Sequence, residues 1–144
     1  MAYVPNNVQW FWAELIEEIT VKGDPTNVVH RNIVLIKQSS PENAYNRALE
    51  IGREHECSYE NPQGLLVHIR FRGIADFDVI HDELDDGAEL MFREDIDVPE
   101  ERIQKWIRPK GELRIFKTDQ TSRKNPDYSS KEVAAEVDQI LRHK

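Results

Sequence analysis

Over residues 9–19 apolar and β-favouring side chains alternate with period two. Phe11, Ala13 and Leu15 fall on one face, and Trp10, Trp12 and Ile16 on the other. This run is expected as a strand with both faces partly apolar. A turn at Gly23, Asp24 and Pro25 leads into a second alternating run over residues 28–37, where Val29, Arg31, Ile33 and Leu35 interleave with His30, Asn32, Val34 and Ile36. Few residues separate the two runs, so an antiparallel hairpin is the economical pairing.

The period then changes. Ser40 can accept from the free amide donors of a helix start, and Pro41 fits the first helical position, where a missing N–H costs nothing. Ala44, Tyr45, Ala48, Leu49 and Gly52 follow at three- and four-residue spacing, a stripe suited to one face of a sheet, with Gly52 permitting close approach. After the turn residues Asn61, Pro62, Gln63 and Gly64, period two returns at Leu65, Val67, Ile69 and Phe71. Residues 74–80 read as another strand whose phase differs, which places a bulge or side switch near Gly73 or Ala75. Residues 88–93 form a shorter candidate strand with Ala88, Leu90 and Phe92 facing together.

Downstream, Asp97 and Glu100 have capping-box spacing ahead of Ile103, Trp106 and Ile107, and Pro109 and Gly111 end the helix they predict. Residues 119–129 are polar and include Pro126, as a linker would. Residues 130–143 carry Val133, Ala134, Val137, Ile140 and Leu141 at helical spacing behind a second capping box at Ser129 and Glu132. That stripe needs burial, on the sheet, on a second copy or on another protein. The expected architecture is α+β. It has a mainly antiparallel sheet of four to five strands, one principal helix, a core domain over residues 1–96 and a helical extension over 97–144.

Composition adjusts this picture. The 144 residues carry 27 acidic and 19 basic side chains, a net charge of -8, which disfavours nonspecific attachment to nucleic acid or anionic membrane. The charge is graded: residues 1–100 hold 20 acidic and 8 basic side chains, residues 101–144 hold 7 and 11. The basic part can face solvent, dock on the acidic body or touch a polyanion, although Glu112, Asp119 and Asp127 dilute it as a nucleic-acid surface. Cys57 is the single cysteine, so no internal disulfide forms and a reducing compartment is expected. Residues 1–7 lack the basic region of a signal peptide, and no run reaches membrane-span length, so the expected location is cytoplasmic.

The segments "RNIVLIKQSSPENAYNRALEIG", "EIGREHECSYENPQG" and "FRGIADFDVIHDELDDGAELMFRE" resemble DUF4288, a family of small bacterial domains of unknown function. The likeness runs over residues 10–94 and is most specific in "SPENAYNRA" and "DVIHDELDDGAEL". It implies a compact domain of strands around a helix and brings no catalytic set.

Candidate chemistry is sparse. His55 and Cys57, joined in space by His30, His68 or His81, have the donor types for zinc, but neither CxxC nor HExxH occurs. Asp76, Asp78, Asp82, Glu83, Asp85 and Asp86 can serve magnesium or calcium in a hydrolase or nuclease only if they converge, and residues 82–86 read more simply as a charged turn. His81 beside Asp82 suggests acid–base work but lacks a companion nucleophile motif. No metal or other cofactor is therefore expected. The reading the sequence favours is a non-catalytic interaction domain. One version is an immunity-like inhibitor of a basic protein; a self-associating structural protein is an alternative. Trp10, Trp12, Asp82, Glu83, Asp85, Asp86, Val137 and Leu141 are its candidate binding residues.

Overall fold

The structure, a computed structural model, describes residues 9–117. The expected linker over 119–129 and the helix over 130–143, with Val137 and Leu141, lie outside the described residues.

Four strands form one antiparallel sheet in the order β2-β1-β4-β3. The central strand β1 (Gln9–Val21) pairs with β2 (Val28–Gln38) in an unbroken register, so the predicted hairpin is present. Phe11 stands opposite Ile36, Ala13 opposite Val34 and Leu15 opposite Asn32 on the inner face; Trp12 opposite Leu35 and Glu14 opposite Ile33 lie on the outer face.

The two strands expected over 65–72 and 74–80 are one, β4 (Leu66–Ile80), and its two irregularities explain why they look separate. Arg72 falls between the pairs Glu17–Phe71 and Ile16–Gly73, and Ala75 falls between Leu15–Ile74 and Glu14–Asp76. Each extra residue reverses the inward–outward phase of the strand beyond it. Val67, Ile69 and Phe71 thus face inward, then Ile74, then Phe77 and Val79.

The helix α1 (Pro41–Glu54) covers the inner face. Ser40 caps it, its Oγ accepting from the Asn43 amide at 3.1 Å. Ala44, Ala48 and Gly52 are the buried residues of its stripe, and their small size brings the helix backbone close to the sheet. The core beneath has two parts. Phe11, Ala13, Leu15, Ile36 and Val79 pack with Ala44 and Ala48, and the rings of Phe11 and Phe77 stack with centroids 5.7 Å apart. Ile19, Val21 and Val67 form the second part.

One strand was not expected, and two expectations need correction. The edge strand β3 (Cys57–Glu60), which pairs with β4, has no alternation of its own to predict it. Residues 88–93 are not a strand: nothing in the sheet pairs with them, and Phe92 is exposed. Asp97 does not cap the second helix. Its φ is 63°, left-handed where a cap needs extended backbone, and α2 (Glu100–Trp106) starts after Pro99 without a side-chain cap. Two 3-10 turns follow, Lys110–Glu112 and Arg114–Phe116. Among the described residues α2 touches neither α1 nor any strand.

Candidate functional site

The outer face of the sheet, which carries no helix among the described residues, presents Trp10, Trp12, Glu14, Ile16 and Glu18 from β1, flanked by β2 on one side and β4 on the other. Its middle is closed. Trp12 is 5% exposed and Glu14 4%, and Glu14 is ion-paired to the Nε of Arg31 across the strands. The flank along β2 is open: Val29, Ile33 and Leu35 lie on it about half exposed, with Leu35 at 48%. Lys37 reaches back over the Trp10 ring, its Nζ 5.6 Å from the centroid. Such an apolar row on the edge strand of a sheet is unusual for a surface that meets only water.

On the other flank Asp76 stands opposite Glu14 and Asp78 opposite Trp12, so these two carboxylates share the face. Like charges opposite one another repel, and the Arg31 pairing of Glu14 offsets part of that cost. Asp76 and Asp78 are exposed and accept only from the next amide along the chain, at 2.9 and 2.8 Å, with no ion-pair partner among the described residues. Further along, Glu18 accepts from Asn27 at 2.7 Å and Arg72 at 2.8 Å. The Asn27 bond and then the Arg72 guanidinium hold its carboxyl below the usual carboxylate range. The bulge at Arg72 aims that side chain outward.

Trp10 and Trp12 are thus brought together on one face, with Trp10 opposite Ile80 at the end of β4 from which the acidic turn departs. In that turn Asp82 accepts from the Glu89 amide at 3.0 Å and Asp85 from the Asp86 amide at 2.7 Å. These bonds use the carboxylates to close the loop. Glu83, Asp85 and Asp86 are exposed. Among the described residues, no three of the His, Cys, Asp and Glu side chains are grouped to hold a metal ion. His55 and Cys57 separate: His55 turns to the sheet, while Cys57 is exposed on β3. His68 pairs across the strands with Ser58, Nδ1 to Oγ 2.6 Å. No described helix is long and apolar enough to cross a membrane.

One arrangement escaped the sequence reading. Glu17 lies on the inner face, 6% exposed, between the two parts of the core. Its Oε1 is 2.6 Å from Nδ1 of His55, the residue that caps the C-terminus of α1, and its Oε2 accepts from the side-chain amide of Asn32. Against a carboxylate the imidazole N–H is the donor. Buried carboxylate beside histidine is the beginning of an acid–base pair, yet both carboxylate oxygens are already engaged, one by His55 and one by Asn32. The pair instead fastens the end of α1 to the middle of β1. A signal for it existed: in the series Phe11, Ala13, Leu15, Glu17, Ile19, Val21, the one charged member sits where every neighbour is apolar.

Neither the curated proteins nor the solved structures contain a match to this chain. A family model, the domain of unknown function DUF4288, matches residues 10–92, which takes in the whole sheet, α1 and the acidic turn. The chain belongs to the DUF4288 family.

Proposed function

We propose that the chain is a non-catalytic protein-interaction domain whose working surface is the β2 flank of the outer face of the sheet. The observation that supports this reading is the row Val29, Ile33 and Leu35, half exposed on an edge strand. Such a row has the apolar centre that a protein interface needs, and the edge offers unpaired backbone groups beside it. Exposed carboxylates at Asp76 and Asp78, with the acidic balance of residues 1–100, favour a basic partner. An inhibitor that masks a basic protein, as immunity proteins do, is the concrete form of this function.

The test is capture with the full chain at physiological salt, in parallel with an Ile33→Asp, Leu35→Asp variant. A saturable, stoichiometric basic partner is expected for the native chain and not for the variant, with the thermal midpoint of the variant close to native. Absence of any saturable complex, or one that the variant retains at equal strength, would overturn the reading.

A further inference from the structure

We infer that the outer face of the sheet is self-complementary, two copies of this chain packing face to face with their strands antiparallel. The inference rests on the interaction reading above and names a second copy as the occupant of that surface.

Charge on this face is segregated along β4. Asp78 and Asp76 stand level with Trp12 and Glu14, whereas Arg70 stands level with Glu18 and His68 with Thr20. Asp76, Asp78 and Arg70 are exposed, and none of them has an ion pair among the described residues. Arg72, aimed outward by its bulge, pairs with Glu18 at 2.8 Å. The strand therefore carries acid towards one end of the face and cation towards the other, with the Gly73–Ile74 step between them.

Such a surface fits its own image turned end for end. A two-fold axis lying in the plane of the face and crossing β1 between Leu15 and Ile16 sets each strand over its own copy in the opposite direction. It carries Asp78 to the level between Arg70 and His68 of the second copy, and Asp76 to the level between Arg70 and Arg72. The same rotation matches the apolar row. Val29, Ile33 and Leu35 stand level with Glu18, Glu14 and Trp12, so Val29 of each copy falls between Ile33 and Leu35 of the other. Val29 is 50% exposed and Ile33 51%, and interleaving removes both from water.

The other charges on the face agree with this pairing. Arg31 falls beside the axis but is held by its own Glu14, so two ion pairs meet there rather than two bare cations. Lys37 lies at the far end, over Trp10. A two-fold axis along the strands would instead set Ile33 and Leu35 over the Asp76 and Asp78 carboxylates of the second copy. Only the crosswise axis joins unlike charges and apolar rows at once. Stacked sheets with strand directions within about 30° of one another are a stable packing.

The experiment is mass in solution by light scattering on the full chain. The native protein is expected at twice 16.9 kDa, dissociating as salt is raised. Arg70→Asp makes both ends of the β4 face acidic, and the double variant Asp76→Arg, Asp78→Arg makes both ends basic. Each alone is expected at half the native mass, with the native circular dichroism spectrum. Mixed in equal amounts they are expected to return to the dimer mass, because each then meets the opposite sign at both ends. Leu35→Asp, expected to be monomeric as well, tests the apolar row independently of the charges. A native chain at 16.9 kDa, its face left to its own residues 130–143 or to a heterologous partner, would overturn the inference. So would a charge variant or Leu35→Asp variant that stays dimeric, or folded charge variants that do not pair on mixing. A native monomer that loses a heterologous partner on Leu35→Asp substitution would overturn self-pairing alone and leave the interaction reading standing.

Discussion

The ring of Phe71 lies on the backbone of Gly52, so close that a Cβ placed at Gly52 would stand 2.5 Å from Cε1 of the ring. Glycine in a helix interior ordinarily costs about 1 kcal/mol relative to alanine. Here the sign reverses, because the ring must be pushed aside for any side chain to fit. Gly52→Ala is expected to destabilise by roughly 1–2 kcal/mol, the overpacking cost less the propensity gain. Denaturant unfolding measures it. The double variant with Phe71→Leu should lose less than the sum of the singles, since the two changes relieve one another.

Glu17 and His55 provide a second test. Removing the carboxylate in Glu17→Ala takes the acceptor from the half-buried Asn32 amide, releases the exposed His55 ring from the sheet, and opens a gap between the two parts of the core. A loss of about 2–3 kcal/mol is expected, with a smaller loss for Glu17→Gln, which keeps an acceptor of the same shape. Unfolding midpoints of the two variants at neutral pH distinguish them; equal losses would show that volume rather than hydrogen bonding matters there.

At Glu18 the expectation concerns pH. Its folded carboxyl is held below its ordinary value of 4.5 by the Asn27 bond and by Arg72. A group with a depressed folded pKa stabilises fully above its unfolded value, and that contribution disappears as pH falls through the folded one. The stability difference between native protein and Glu18→Gln is therefore expected to be present at neutral pH and to close below about pH 4.5. Unfolding curves at a series of pH values read this directly. A gap that widened on acidification would contradict it.

Ser40 is the simplest prediction. Its hydroxyl satisfies the Asn43 amide at the start of α1, so Ser40→Ala is expected to cost about 1 kcal/mol and Ser40→Asp far less. Thermal melts of the pair suffice to check it.

Much of this fold was legible where a local pattern and its tertiary setting agree. The β1–β2 hairpin follows from two alternating runs joined by a glycine-containing turn. The helix α1 follows from Ser40, Pro41 and a small-residue stripe. The bulge expected near Gly73 or Ala75 is found there as two irregularities. The hidden parts depend on distant partners. Cys57, Ser58, Tyr59 and Glu60 form a strand only because residues 66–69 lie alongside. Ala88, Leu90 and Phe92 alternate equally well but have no neighbour to pair with. Glu17 was visible as an anomaly in its alternation, yet its partners lie 15 and 38 residues away, on different elements. Trp12 could be placed on a face; that the β2 flank beside it lies open could not be read without the sheet order.

The two supernumerary residues of β4 also constrain how the family can vary in length. Loss of Arg72 alone, or of Ala75 alone, would turn the whole of the strand beyond it inside out, sending Phe77 and Val79 towards solvent or Val67 and Ile69 away from the helix side. Loss of both displaces only the Gly73–Ile74 step and leaves each end in phase. Length changes in this strand should therefore be inherited as a matched pair, like two frameshifts that cancel.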